Sequence, residues 1–186
     1  MAQKRTIQFS IAGEGASMAT KQAFSVYNLG FGGSGKMLFP IGKKDFFTTT
    51  IGVLAFSGRS GPAKEIFADL IKDPATLALI TSFSNGINIA HPSLTNIVPK
   101  VGYKHFLNKN FNSEIEVGYT FSLVKKLFES IGGNVGGPTF ALGFGFLVTK
   151  KLDIGLRYEQ FTSTAIEKDY TSFVALRTLV TLDFKK

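Results

Sequence analysis

Residues 113–121 read SEIEVGYTF and alternate strictly between apolar side chains and polar or small ones. A period of two places successive side chains on opposite faces of an extended chain. The stretch therefore predicts a β-strand whose two faces differ in chemistry. One face holds Ile115, Val117, Tyr119 and Phe121, and the other holds Glu114, Glu116, Gly118 and Thr120.

The same alternation recurs along the chain, for example in FALGFGFLV at residues 140–148 and in LDIGLRYEQF at residues 152–161. Most of the segments reach the roughly 9–11 residues with which a tilted strand crosses a bilayer. They also exceed the roughly 5–6 residues that are usual for strands of soluble proteins. Eight strands are predicted, at about residues 6–17, 26–40, 46–57, 96–107, 111–122, 138–149, 152–162 and 171–184.

Short and long connections alternate between these strands. The short ones, at residues 42–45, 108–110 and 150–151, follow the second, fourth and sixth strands. The third long one runs over about residues 58–95. In a meander, this order places all short turns and both termini at one end, which is the plan of an outer-membrane barrel. The predicted fold is all-β: an eight-stranded antiparallel up-and-down transmembrane β-barrel.

Composition sets further bounds. With 186 residues, the chain is predicted to form a single β-barrel domain over residues 1–186. It has no cysteine, which excludes disulfides and thiolate metal sites. No apolar run reaches the length of about 18 residues that a transmembrane helix needs. The opening MAQKRTIQ lacks the apolar core of a signal peptide, so a mature chain is expected.

The two faces indicate which side of the barrel meets lipid. Phe, Leu, Ile and Val dominate one face, whereas Gly, Ala, Ser and charges share the other. The interior of an eight-stranded barrel is just wide enough to be filled by side chains, and glycines leave room for paired charges there. The Phe-rich face, with Tyr103, Tyr119 and Tyr158, is therefore predicted to face lipid. The predicted lumen charge network is Glu14, Lys36, Lys100, Lys104, Glu114, Glu116, Asp153, Arg157, Glu159, Arg177 and Asp183.

Three stretches carry a family resemblance: residues 99–121 (PKVGYKHFLNKNFNSEIEVGYTF), 141–161 (ALGFGFLVTKKLDIGLRYEQF) and 176–186 (LRTLVTLDFKK). The chain resembles the small eight-stranded outer-membrane β-barrels represented by OmpA and OmpX, and the barrel domains of Bacteroidetes-type envelopes. Phe184 is similar to the C-terminal aromatic residue that the barrel-assembly machinery reads, although two lysines follow it. The resemblance implies a location in the outer membrane of a Gram-negative bacterium. The absence of Trp departs from the family pattern, because any aromatic girdle must then consist of Tyr and Phe.

Residues 30–37 (GFGGSGKM) contain the glycine spacings of two phosphate-binding loops, G-x-G-x-x-G and G-x-x-x-x-G-K. Both loops require a following helix, which Pro40 and Gly42 disfavour. Met37 also stands where a P-loop has a hydroxyl group for Mg²⁺. The alternation instead predicts one wall of the barrel, with Gly30, Gly32, Ser34 and Lys36 pointing into the lumen.

No catalytic, cofactor-binding or metal-binding residue is predicted. His91 lies near Ser93 in a long connection, but no third group is at hand to orient it as in a catalytic triad. His105 is interpreted as an interfacial residue, and two separate histidines make a weak metal site. Nucleic-acid binding is not expected, because the basic residues do not form one stripe with stacking aromatics.

The long connection at residues 58–95 is expected to be external and partly helical. Its apolar spacing predicts two amphipathic helices, the second capped by Asp73 with Pro74 in its first turn. Two roles remain open: a cap over the barrel mouth, or a lid or docking surface for a protein or amphiphilic ligand. The candidate interaction surface is Ile66, Phe67, Leu70, Ile71, Leu77, Ile80 and Phe83.

Nine of the 21 basic residues fall at the short-turn end, where Asp45 is nearly the only opposing charge. As a set they suggest the hypothesis of a basic collar facing anionic phospholipid headgroups. The set is Lys4, Arg5, Lys43, Lys44, Lys109, Lys150, Lys151, Lys185 and Lys186.

The sequence thus predicts a monomeric, non-enzymatic integral outer-membrane barrel in contact with membrane lipids, with a filled charged lumen and loops that form an interaction surface. The alternative is a soluble or periplasmic, lipocalin-like barrel that binds a lipid or another hydrophobic ligand, with the helical loop as its portal. A third and more distant option is an enzyme that modifies envelope lipids.

Overall fold

The computed structural model describes residues 6–20, 23, 27–62, 73, 75, 78, 82, 88–90, 93–124, 135–162 and 170–182. The elements described in these ranges are β-strands. They are β1 (Gln8–Met18), β2 (Tyr27–Pro40), β3 (Asp45–Gly58), β4 (Ser60–Pro62), β5 (Asn88–Ala90), β6 (Leu94–Phe106), β7 (Phe111–Val124), β8 (Val135–Leu147), β9 (Leu152–Thr162) and β10 (Tyr170–Leu182).

Eight of these strands close into an antiparallel barrel in the order β1-β10-β9-β8-β7-β6-β3-β2. The first and last strands close it, with a register that runs from Phe9 opposite Leu182 to Met18 opposite Phe173. Every other barrel strand pairs with its neighbours along the chain, β3 pairing with β6 across the third long connection. The predicted eight-stranded up-and-down barrel is therefore confirmed.

The barrel strands are 11 to 14 residues long. Each matches a predicted strand, and the largest difference is at β8, which begins at Val135 instead of residue 138. The extra residues include two glycines and carry no alternation, but they pair with β7, where Ser122 lies opposite Val135. Pairing thus extends the strand beyond what the side-chain pattern indicates.

The third long connection holds a two-stranded ribbon, in which β4 pairs antiparallel with β5. Ser60 lies opposite Ala90 and Pro62 lies opposite Asn88. The predicted helical insertion is not supported, since its residues fall almost entirely outside the described ones. In the described part of the chain, no helix has both the length and the apolar character needed to cross a membrane.

The three short connections, at residues 41–44, 107–110 and 148–151, all lie at the same end of the barrel. In the second, Asn108 Oδ1 accepts hydrogen bonds from the backbone N–H groups of Asn110 and Phe111, both at 2.8 Å. In the third, Thr149 Oγ1 accepts from the N–H groups of Lys151 and Leu152, at 3.2 and 3.0 Å. Such side-chain bonds mimic a backbone turn and fix the hairpin register.

Candidate functional site

The barrel interior is charged. Ten of the eleven residues of the predicted lumen charge network are buried inside the barrel, and Asp183 lies outside the described residues. The ten are five cationic and five anionic side chains, so their formal charges cancel. Ionised groups out of contact with water are tolerated when they are paired, which the following contacts provide.

Lys36 on β2 stands at the centre of this network. Its Nζ forms an ion pair with Glu114 on β7 and lies 3.0 Å from Glu116 Oε1. Arg177 on β10 reaches Glu114 from the other side, with Nη2 2.9 Å from Oε2. Lys100 Nζ lies 3.6 Å from Glu116 Oε2. Three strands that are not neighbours in the sheet are thus joined across the lumen.

Three further ion pairs of the network lie in the lumen. Arg157 binds Glu14 through two nitrogen–oxygen contacts, of 2.6 and 3.0 Å. Lys104 Nζ lies 2.7 Å from Asp153 Oδ2, near the short-turn end. A third pair joins Lys100 Nζ to Glu159 Oε2 at 2.5 Å.

Small polar side chains complete the network; of these, the alternation placed Ser34 in the lumen but did not assign it a partner. Ser34 Oγ donates to Glu14 Oε1 at 2.9 Å, and Thr50 Oγ1 donates to Glu116 Oε1 at 2.5 Å. Asn112 Nδ2 donates to Asp153 Oδ2 at 3.0 Å. These residues look like ordinary strand residues, and only their inward position in the alternation could have indicated their role.

Apolar side chains close the interior at the end that carries the long connections. We call them the apolar plug. Phe56 and Phe173 meet in an edge-on contact with ring centroids 5.7 Å apart, and both rings are buried. Near the short-turn end Leu38, Phe46 and Leu179 are also buried. The apolar plug comprises Ala16, Met18, Leu54, Phe56, Leu94, Phe161, Phe173 and Ala175.

The stretch GFGGSGKM forms part of the β2 wall. Its inward positions include Lys36 of the charge network and Gly30 beneath the apolar plug. A Cβ atom on Gly30 would lie 2.5 Å from the Phe56 ring. At Gly32 a Cβ atom would lie 2.0 Å from the backbone oxygen of Val53 on the neighbouring strand. The first glycine makes room for a side chain, and the second allows a close approach of two backbones.

The outer wall is apolar around the whole barrel. Every barrel strand contributes large hydrophobic side chains that are between 45% and 69% exposed, one from each strand being Ile11, Phe31, Ile51, Val101, Val117, Phe144, Leu156 and Leu176. The three tyrosines assigned to this face, Tyr103, Tyr119 and Tyr158, are exposed as well. The polarity of the molecule is therefore inverted, with charges inside and hydrocarbon outside.

A small polar cluster lies on the outer wall at the short-turn end. Asp45 Oδ1 accepts a hydrogen bond from the Tyr103 hydroxyl group at 2.5 Å and lies 2.7 Å from His105 Nδ1. The rings of Tyr103 and His105 stack with centroids 6.4 Å apart. Strand pairing brings the cluster together, because Asp45 lies opposite His105 in the β3–β6 register.

The remaining predicted positions belong to the third long connection. His91 and the candidate interaction surface, Ile66, Phe67, Leu70, Ile71, Leu77, Ile80 and Phe83, lie outside the described residues. Within the described residues, no group of three or more His, Asp or Glu side chains is arranged to hold a metal ion.

No family model and no curated protein matches the chain. Solved structures do match it. Ail, the attachment invasion locus protein of Yersinia pestis, superimposes with a TM-score of 0.57 at 9% sequence identity, over 95% of this chain and 97% of Ail. The fold is that of a small eight-stranded outer-membrane barrel.

Two further structures share this fold. Neisserial surface protein A matches with a TM-score of 0.50 at 11% identity, over 95% of this chain and 97% of that protein. The N-terminal β-barrel domain of Pseudomonas aeruginosa OprF matches with a TM-score of 0.50 at 9% identity, over 94% and 97%. The resemblance predicted from the sequence is confirmed at the level of the fold.

Proposed function

We propose that this chain is an integral outer-membrane barrel that spans the membrane with its eight strands, has no enzymatic activity and interacts with partners through its long loops. The observation that carries the proposal is the inverted polarity of the barrel. A continuous apolar outer wall meets lipid favourably, whereas in water it would be an exposed hydrophobic surface far larger than monomeric proteins tolerate.

The interior argues against the soluble, lipid-binding alternative. A barrel that carries a hydrophobic ligand needs an apolar cavity of about 300 Å³ or more. Here the lumen is filled by the charge network and the apolar plug, and a cavity of about 40 Å³ near Lys104 and Asp153 is too small for such a ligand. A groove of about 420 Å³ beside Pro138 and Tyr170 lies at the long-connection ends of β8, β9 and β10 and is open to the surface.

The cluster around His105 bears on the enzymatic alternative. Asp45 binds Nδ1 of His105, as the acid of a catalytic triad does, and Ser113 lies opposite His105 on the next strand. A triad also needs the serine hydroxyl within hydrogen-bonding reach of the imidazole. None of the described hydrogen bonds joins Ser113 to His105. The cluster is better explained as a polar contact at the membrane–water interface.

The loops are proposed as the interaction surface because they hold the chain's least regular sequence, whereas the barrel strands form a filled lumen and an apolar wall. Ail has been solved in complex with the heparin analogue sucrose octasulfate. The long connections of this chain hold seven basic and six acidic residues, which is nearly neutral. We therefore favour a partner that is not polyanionic, with residues 66–71 and 77–83 as the candidate apolar contact.

The test is membrane insertion. The chain is purified with and without detergent, refolded into phospholipid vesicles, and run on denaturing gels with and without boiling. We expect a requirement for detergent or lipid and a heat-dependent shift in mobility, because a closed barrel resists unfolding until it is heated. A monomer that stays in solution without detergent and shows no shift would contradict the proposal. Hydrolysis of phospholipid by the folded protein, lost on Ser113→Ala, would contradict its non-enzymatic part.

A further inference from the structure

The net charge of the molecule is concentrated at one end. The long connections hold seven basic and six acidic residues, and the barrel strands hold five basic and six acidic ones. The three short turns, residues 1–7 and residues 183–186 together hold nine basic residues and Asp183. Nearly all of the formal net charge of +8 therefore falls, by sequence, in the short turns and in the segments that precede β1 and follow β10.

The basic residues of this end surround the barrel. All three short turns contribute, and they lie between β2 and β3, between β6 and β7, and between β8 and β9. The lysine side chains of these turns are exposed. We name them the turn lysines: Lys43, Lys44, Lys109, Lys150 and Lys151.

The turn lysines adjoin the apolar wall directly. Each short turn also exposes a large hydrophobic side chain, namely Ile41 at 64%, Leu107 at 54% and Val148 at 49%. The apolar surface thus continues into the turns. A long aliphatic stem ending in an ammonium group can lie along such a surface with its charge at headgroup level.

Few carboxylates of the described residues lie at this end. Among the described residues, Asp45 is the only carboxylate at this end that does not lie inside the barrel. Its Oδ1 is already engaged by Tyr103 and His105. The nearest interior carboxylate, Asp153, is buried and paired with Lys104. Lys44 Nζ also lies 3.4 Å from the carbonyl oxygen of Leu107.

We infer that the turn lysines bind anionic phospholipid headgroups of the leaflet at the short-turn end. A ring of ammonium groups at the edge of a hydrocarbon-facing wall matches a surface made of lipid phosphates above acyl chains. A soluble polyanion would match the charge but leave Ile41, Leu107 and Val148 in water. The inference rests on the proposed function, since it requires the barrel to be in a bilayer.

The experiment measures which lipids the folded barrel retains. The full chain is reconstituted into nanodiscs of equal parts phosphatidylglycerol and phosphatidylcholine, and the lipids that stay bound are counted by native mass spectrometry. We expect wild type to retain phosphatidylglycerol over phosphatidylcholine by at least about threefold, since each basic residue near an anionic surface adds to the attraction. Raised salt should reduce this preference.

Two variants remove the same number of positive charges from opposite ends. The turn variant replaces all five turn lysines with Gln, and the loop variant carries Gln at Lys64, Lys72, Lys125, Lys126 and Lys168 of the long connections. The turn variant should lose the preference for phosphatidylglycerol, and the loop variant should keep it. Equal loss in both variants, or no preference in wild type, would overturn the inference.

Insertion is scored separately by the heat-dependent gel shift. Wild type that fails to insert would contradict the proposed function, whereas wild type that inserts without a lipid preference would contradict only this inference. If the turn variant fails to insert, three variants are used instead, each of which replaces the lysines of one short turn. Each of them should lose part of the preference for phosphatidylglycerol. Binding of soluble polyglutamate without any lipid preference would assign the turn lysines to an acidic polymer and overturn the inference.

Discussion

Lys36 shows what the interior charges contribute at the scale of a single residue. Its Nζ serves both Glu114 and Glu116, and all three side chains are buried. Lys36→Leu leaves each carboxylate with one cationic partner fewer in a place that water reaches poorly. Removal of one partner from a buried ion pair typically costs about 3–5 kcal/mol. We expect a loss of about 3 kcal/mol in the free energy of unfolding, because Arg177 and Lys100 compensate in part.

Urea unfolding in lipid vesicles, followed by far-ultraviolet circular dichroism, measures this loss, because the chain has no tryptophan to report by fluorescence. Lys109→Leu is the matched control, since this lysine lies exposed in a turn. In vesicles of phosphatidylcholine alone, which give this turn lysine no anionic surface to bind, its stability should stay within about 0.5 kcal/mol of wild type, as is usual for surface positions. Equal stability of both variants would show that the ion pairs of Lys36 contribute nothing.

Gly30 provides a second prediction at this scale. A Cβ atom there would lie 2.5 Å from the Phe56 ring, which is packed against Phe173 in the apolar plug. Gly30→Ala should therefore destabilise the barrel by about 1–3 kcal/mol, the range for overpacked cores. Gly13→Ala adds the same methyl group on β1, where no atom lies within 4 Å. Its unfolding free energy, measured in the same titration, should not fall, and a comparable loss at both glycines would refute the steric explanation.

The sequence predicts the direction of these side chains but not their partners. Alternation along β2 is enough to place Lys36 in the lumen. Its partner Glu114 is 78 residues away on β7, and the two meet only because the barrel closes. The identity of a partner across the lumen depends on strand order, tilt and register together, none of which is a property of one strand. The inward direction of Phe56 is harder still to predict, because Leu54, Ala55 and Phe56 are all apolar and show no alternation.

At the scale of the element, substitutions in β7 and in the turn before it test how deep in the membrane the apolar outer wall lies. Val117 is near the middle of β7 and faces outward, whereas Leu107 is exposed in the preceding turn. An arginine on the lipid face of a barrel costs about 2–4 kcal/mol at the bilayer midplane and about 0–1 kcal/mol near the interface. Val117→Arg should therefore destabilise the folded protein in vesicles far more than Leu107→Arg. In a soluble barrel both substitutions would be nearly neutral in urea titrations, and that outcome would exclude membrane insertion.

Strands and turns could be predicted where the side-chain alternation and the length of the segment indicated the same element. The three turns could be located because asparagine, glycine and lysine interrupt long alternating segments, and the eight barrel strands follow from what remains. The β4–β5 ribbon was not predicted from the sequence, because three residues are too few to show alternation and Ser60–Pro62 has the composition of a turn. Its pairing with Asn88–Ala90 is a contact between segments far apart in the sequence, which no local pattern records.

At the scale of the whole molecule, the interior has three layers. Leu38, Phe46 and Leu179 lie near the short-turn end together with the Lys104–Asp153 pair, the rest of the charge network lies in the middle, and the apolar plug lies toward the long connections. The apolar side chains limit the access of water to the charges, and the charges hold the strands together across the lumen. Inverted polarity and a filled lumen follow from the same alternation, because a strand that presents hydrocarbon to lipid must direct its other face into a narrow space.

These layers predict that the barrel does not conduct ions, because a hydrated ion would have to pass the apolar plug, break the paired charges and pass Leu38, Phe46 and Leu179. In planar bilayers the wild-type protein should give no steady current. Phe56→Ala with Phe173→Ala thins the apolar plug alone and should still give none, since the layer at Phe46 remains. Phe46→Ala added to that pair opens both ends and should give a small, salt-dependent current, provided that the gel shift shows a folded barrel. A steady current through the wild type would refute the layered interior, and a current through the plug variant alone would show that the layer at Phe46 is not a barrier.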